Sequence, residues 1–263
     1  MELLLIITAI WLLAASLTDL KKREVADWLS LSLITIAISI RASESIISGN
    51  LLPLAKSGIG LLVFFVLANI LYNGKIFAGG DAKLLTALGA VISGLEILSN
   101  VLVVGGLYGL VYSIGLGLIN IKKVYPEIKN KGSLESHPTL IFLIALVFIG
   151  VSVNYSPIYL FSLAFIGLYC LQVFSSAVEK TALIKKVSPS DLTEGDWLVS
   201  DVRIGKNLIK ANFSGLTKKD IQTIRKANKQ VYIKYGIPFI PVFLIAFLVT
   251  VFAGNIFSLL LPI

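Results

Sequence analysis

Two aspartates stand where the chain turns between polar and apolar. Asp19 lies in Ser16-Leu-Thr-Asp-Leu-Lys-Lys-Arg23, at the basic end of the first apolar run. Asp81 lies in Phe77-Ala-Gly-Gly-Asp-Ala-Lys83, just ahead of a short apolar run. Brought together, such a pair suits hydrolysis. Two carboxyl groups at close range do not both ionise, so one keeps a proton while the other is charged. The charged one takes a proton from a trapped water, and the protonated one delivers a proton to the carbonyl oxygen under attack. This chemistry needs no metal and no organic cofactor. The chain has one histidine, His137, and one cysteine, Cys170, which excludes a histidine-rich or cysteine-built metal site and an intrachain disulfide.

The neighbours of each aspartate have readings of their own. Gly79 and Gly80 permit backbone conformations closed to other residues and let an extended peptide approach the main chain, and Asp81 is placed to cap the helix that follows. Lys83 is available to a carboxylate or to a polar group of a substrate. Glu24 and Asp27 are acids beside an otherwise basic surface, suited either to attract a basic segment or to pair locally with Lys21, Lys22 and Arg23. Each feature also has a plainer reading: an Asp at a helix end beside three basic residues is often only interfacial, and Gly-Gly-Asp before a helix is often a loop and its cap.

The elements that must position these residues lie in a membrane. Of 263 residues, 56% are hydrophobic and only 14% charged, and the mean hydropathy is +0.89, a composition that leaves too little polar surface for a soluble domain. A helix crosses the roughly 30 Å hydrocarbon core with about 20 apolar residues. Eight apolar segments are candidates: Leu3–Leu17, Trp28–Ile40, Leu51–Leu71, Leu84–Leu98, Val101–Ile121, Leu140–Val153, Ile158–Phe174 and Ile237–Leu261. The fourth is short, interrupted by Gly89 and Gly94, and carries Glu96 towards its end, so six to eight true spans are expected. Around the first segment the charges are the reverse of a cleaved signal: Glu2 precedes it, and Lys21, Lys22 and Arg23 follow. It reads as a retained span with the N-terminus outside.

Charge placement supports this count. With the N-terminus outside, residues 18–27, 73–83, 122–137 and 175–236 face the cytoplasm, and they hold every Lys and Arg except Arg41 and Lys56. Both termini then lie outside, and both aspartates lie at the cytoplasmic face. The net charge of +8 is accounted for by anionic headgroups, without nucleic acid. The expected fold is an all-α polytopic membrane protein with a small α+β cytoplasmic insertion. Residues 1–174 form the membrane catalytic domain, 175–236 the cytoplasmic subdomain, and 237–263 the last transmembrane helix. Within the insertion, Leu198–Ile204 alternates in part like a strand, Thr217-Lys-Lys-Asp220 resembles a capping box with Asp for Glu, Ile221, Ile224 and Ala227 follow at helical spacing, and Val231 and Ile233 alternate again.

The stretch Ala78-Gly-Gly-Asp-Ala-Lys-Leu-Leu85 resembles the Gly-x-Gly-Asp region of type IV prepilin and preflagellin peptidases, in which the Asp is followed by x-Lys. The region from Thr18 and Asp19 through Arg23, Val25 and Asp27 resembles the end of that family's first helix, which bears a catalytic Asp followed by basic residues. Tyr235-Gly-Ile-Pro-Phe-Ile-Pro241 resembles the Pro-Phe lead-in to its last span. The chain departs from the pattern at Ala78, which stands at the first glycine position. It also has only Cys170 where bacterial members often carry paired cysteines, so their N-methylation is not transferred; the large loop before the last span resembles the archaeal branch.

The resemblance implies a membrane aspartyl endopeptidase with Asp19 and Asp81 as catalytic pair. It would remove a short basic leader from pilin-like or flagellin-like (archaellin) precursors at the cytoplasmic membrane face, with membrane lipid as its other partner. A presenilin-like protease would need a Pro-Ala-Leu motif near the C-terminus, which this chain lacks. A proton-coupled transporter using Asp19 and Asp81 as a relay is the alternative from another class; it favours acids near the midplane and inverted repeats.

Overall fold

Leu4, Thr8, Leu12, Ala15 and Asp19 recur at helical spacing, and in the computed structural model they form the buried stripe of helix α1 (Glu2–Lys22). The opposite face, with Leu3, Ile6, Ile10, Leu13, Leu17 and Leu20, is exposed, the surface a helix presents to acyl chains. Inside the stripe, the Thr8 and Ser16 hydroxyls donate to the carbonyls of Leu4 and Leu12, so neither is left unpaired. The structure describes residues 2–23, 25–74, 76–130, 170–205, 207–212 and 215–256.

The chain continues through α2 (Asp27–Ser48), α3 (Leu52–Asn73), α4 (Gly79–Val91), α5 (Glu96–Ile119) and α6 (Ile121–Asn130). After a described helical stretch α7 (170–182) come β1 (Ile184–Val187), β2 (Trp197–Leu198), β3 (Val202–Ile204), β4 (Asn207–Ile209), α8 (Lys218–Lys226), β5 (Val231–Lys234) and α9 (Ile240–Ala253). Among the described residues four helices, α1, α2, α3 and α5, are long and apolar enough to cross a membrane. The protein is therefore a mostly helical membrane protein with a small strand-containing region. Expected segments Leu140–Val153 and most of Ile158–Phe174, like His137, lie outside the described residues.

Two segment boundaries differ from expectation. The run Leu84–Leu98 is not one element: α4 ends at Val91, the chain breaks over residues 92–95, and Glu96 opens α5 rather than closing the fourth segment. Ser93 and Gly94 supply the break, which uninterrupted hydropathy conceals. The last helix is also shorter than Ile237–Leu261. It begins at Ile240, with Pro241 in its first turn, and stops at Ala253 before Gly254, whose φ of 74° is left-handed.

The structure divides into two compact units, residues 1–109 with 237–263 and residues 110–236. In the first, α4 is the core. Leu84 through Val91 are all buried, leaving no face for solvent or lipid, and at about 1.5 Å per residue its 13 residues reach only about 20 Å. Helix α3 crosses α4 at Gly60 and Gly89: a Cβ on Gly89 would fall 2.4 Å from the Phe64 Cβ, and one on Gly60 would fall 2.2 Å from the Gly89 carbonyl oxygen. Arg41 of α2 donates to the Val91 carbonyl (3.2 Å) and Ser57 of α3 to that of Ala90 (2.6 Å), so the last turn of α4 is capped from both neighbours. Buried Asn100 of α5 donates to Thr250 Oγ1 (2.9 Å) and the Gly254 carbonyl (2.7 Å), and accepts from the Ile256 N–H (3.0 Å), which fastens the end of α9.

The second unit carries an antiparallel sheet of order β1-β5-β2 and a β3–β4 hairpin. Val231 and Ile233 point inward from β5 while Tyr232 points out, the expected alternation. Helix α8 opens with the expected capping box: Thr217 Oγ1 accepts from the Asp220 N–H, and the Asp220 carboxylate accepts from the Thr217 N–H. Its Ile221 and Ile224 join Val187, Leu198, Val231 and Ile233 in a core of their own. Arg225 donates to the carbonyls of Pro189, Ser190 and Leu192, closing the turn that follows β1. Cys170 is exposed at the start of the described part of α7.

Candidate active site

Asp19 is the last residue of the buried stripe of α1, and the residue is only 6% exposed. A buried carboxylate must be hydrogen-bonded. Its Oδ2 accepts from the backbone N–H of Ile240, at 3.0 Å, in the first turn of α9. The first N–H groups of a helix have no partner within it, and they carry the positive end of its dipole. Asp19 thus satisfies an orphan donor of α9 while the helix end compensates a buried acid. At the other side of the residue, the Arg23 N–H returns to the Asp19 carbonyl at 2.7 Å and Arg23 takes a φ of 56°, ending α1.

Asp81 lies three residues beyond the N-cap of α4. Sequence reasoning made it the cap itself; the structure gives that position to Ala78, whose N–H donates to Asp81 Oδ2 at 3.1 Å. This is the acidic half of a capping box, and the alanine methyl cannot supply the other half. Helix α4 is too short to cross, and Asp81 sits in its first turn. Burial pushes its carboxyl up to about 7, the hydrogen bond from Ala78 opposes that rise, and the Asp19 charge adds to it. The structure therefore brings the two aspartates within electrostatic reach, at adjoining ends of α1 and α4.

The other expected site residues fare differently. Lys83 Nζ lies 2.6 Å from Asp27 Oδ1, so the first turns of α4 and α2 are tied by an ion pair. Glu24 lies outside the described residues. Gly79 and Gly80 form the first turn of α4 and have no left-handed φ. A Cβ would meet only ordinary contacts, 3.8 Å from the Tyr72 ring at Gly79 and 3.6 Å from Val25 at Gly80. The expected need for special backbone is thus not met; their smallness leaves an open face beside Asp81. Among the described residues no cluster of three or more His, Cys, Asp or Glu is placed to hold a metal ion.

One group of residues escaped sequence reasoning. Phe77, immediately before Ala78, packs on Phe239 and Phe243 of the α9 region, with ring centroids 5.6 and 5.9 Å away; Phe239 and Phe243 meet edge to face at 5.8 Å. The prolines Pro238 and Pro241 mark the helix start beside Phe239, but no signal in the sequence pairs Phe239 with Phe77.

Comparison with known proteins bears on this region. Residues 6–114 match the type IV leader peptidase family. A preflagellin peptidase of Methanocaldococcus jannaschii is 37% identical over 87 residues, 33% of this chain and 37% of the relative. One of Methanococcus voltae is 30% identical over 81 residues, 31% of this chain and 34% of the relative. The matched part spans about a third of the length of these curated relatives.

Proposed function

Taking residues 6–114 as a type IV leader peptidase domain, we propose that this chain is a membrane aspartyl endopeptidase. It removes a short basic leader from preflagellin-like or prepilin-like precursors, with Asp19 and Asp81 as its catalytic pair. The observation that carries the reading is that both aspartates fall inside the matched residues and that the Asp19 charge acts on Asp81. The relatives' name, preflagellin peptidase, and the archaeal-type resemblance support the substrate class.

The reaction starts from the form with a proton on Asp81, whose carboxyl burial pushes up to about 7, and a charge on Asp19. Asp19 takes a proton from water, the hydroxide attacks the scissile carbonyl, and Asp81 protonates the oxygen. Collapse of the tetrahedral diol breaks the C–N bond, with a proton delivered to the departing amine. The products are a leader ending in a carboxylate and a mature chain starting with an amine. We assign the cut to the cytoplasmic membrane face, with both termini outside and six to eight spans, because the basic residues cluster in alternate loops. In this assignment 1–174 and 237–263 make up the membrane domain and 175–236 the cytoplasmic subdomain. Lys83 and Asp27 hold α4 to α2, Gly79 and Gly80 leave room for the substrate strand, and Glu24 attracts the basic leader. No observation favours the transporter reading.

Membrane vesicles bearing the chain, mixed with a preflagellin-like precursor, test this. A single cut between basic leader and hydrophobic helix, abolished when the leader's basic residues are replaced, is expected. Vesicles that leave the precursor intact while an authentic leader peptidase cleaves it would refute the assignment.

A further inference from the structure

The Asp19 carboxylate and the segment leading into Asp81 both touch one turn of chain from far along the sequence. That turn is Phe239–Ile240, the start of α9. Ile240 gives its N–H to Asp19 Oδ2. Phe239 sets its ring against Phe77, one residue before Ala78, whose own N–H binds Asp81. The Phe239 ring is in turn seated on α5 at Gly105, where a Cβ would lie 2.7 Å from Phe239 Cζ and 3.5 Å from Val242 Cγ1. Phe243 closes the group from the next turn of α9.

We infer that the first turn of α9 is a shared positioning element for the two carboxylates, with Phe239 as its positioning residue and Gly105 as the notch that seats it. Shifting this turn moves the Asp19 anchor and the Phe77–Ala78 approach to Asp81 together. These two contacts of one turn therefore set the separation of two groups whose joint geometry decides whether a water is held between them. A misplacement of about 1 Å at a reacting centre costs on the order of a hundredfold in rate. The far end of α9 is fastened independently through Asn100, so the helix has little freedom to shift along its axis.

This inference rests on the proposed peptidase reading for its kinetic readout but not for its structural one. Three variants test it: Phe239→Ala, Phe77→Ala and Gly105→Ala, the last adding a methyl in the middle of a helix where alanine is favoured. Each is expected to lower kcat for precursor cleavage about tenfold or more with KM within about twofold. Phe77→Ala combined with Phe239→Ala should be no worse than either alone, because the two act through one contact. Phe239→Leu, which keeps an apolar side chain on the notch, should retain most activity, and Phe252→Ala, at an exposed position of the same helix, should be silent. In parallel, spin labels on exposed Leu17 and Ile76, with Cys170 replaced by Ser, should give a narrow distance distribution that broadens in Phe239→Ala and Gly105→Ala. Wild-type kcat together with an unbroadened distribution would overturn the inference even if Asp19→Asn and Asp81→Asn are inactive. If those aspartate variants still cleave, the peptidase dyad fails, and the distance measurement alone decides the inference.

Discussion

At the scale of single residues, the protonation of Asp81 bears on stability, and on rate if the proposed dyad holds. Its carboxyl is pushed up to about 7 by burial, against an ordinary carboxylate near 4. A raised folded-state value means that the folded protein holds the proton where the unfolded chain has lost it. Its contribution to stability is thus full below about pH 4 and is lost as pH rises through about 7. Asp81→Asn should remove this decline, so thermal unfolding in detergent between pH 5 and 8 should be flatter for the variant than for wild type. If Asp81 also supplies the proton in catalysis, kcat should fall as pH rises through about 7, with that limb tracking the midpoint of the stability change. A rate limb displaced by two pH units or more would separate the two roles.

The glycines and the ion pair belong to the same scale. Gly79→Ala and Gly80→Ala meet no steric obstacle and gain helix propensity, so neither should lower the melting temperature. A loss of cleavage in either would then report crowding of the substrate strand. Lys83 and Asp27 are both exposed, and a surface pair contributes about 0–1 kcal/mol. Either single replacement by alanine should therefore be well tolerated by the fold while lowering kcat. Exchanging the two charges should recover the loss; a swap no better than the singles would mean that Lys83 acts on substrate instead.

At the scale of elements, α4 is the part most sensitive to side-chain size. It is buried along Leu84–Val91 and meets α3 at two glycines, where no atom can yield without moving backbone. Gly89→Val should cost at the upper end of the usual 1–3 kcal/mol for overpacking, read as a drop in melting temperature with cleavage lost in parallel. By contrast Thr217→Ala, removing one half of the α8 capping box, should cost about 1 kcal/mol in the second unit and leave cleavage intact.

The same elements show what could be read from sequence. The extent of α1 was legible because its apolar run gives way to Asp19, Lys21, Lys22 and Arg23; its buried face was not, because leucine and isoleucine occupy both faces. The break between α4 and α5 was not, because residues 84–98 are apolar on both sides of Ser93 and Gly94, and hydropathy does not register a short break between apolar helices. Nor was the Phe77–Phe239 contact: phenylalanines among apolar residues carry no periodic signal, and their pairing depends on how helices distant in sequence pack. The shortness of α9 follows from Pro241 and Gly254, whose signals were present in a run that composition alone extended.

At the scale of the molecule, two properties have separate origins. Lipid-facing apolar faces and a buried α4 make the first unit a membrane body whose polar groups, Thr8, Ser16, Ser57 and Asn100, are each hydrogen-bonded. The second unit has its own small apolar core and carries much of the basic excess. The two carboxylates come from separate helices, one anchored by a helix start and one by its own capping turn. Each is open to the least disruptive replacement available, Asp to Asn. The decisive measurement is single-turnover cleavage of a leader-bearing precursor by the purified, reconstituted chain, with Asp19→Asn and Asp81→Asn assayed separately and their folding checked by melting temperature. A wild-type cut at the leader junction and a loss of more than about a hundredfold in each folded variant are expected. Near-wild-type cleavage by either folded variant would contradict the proposed dyad.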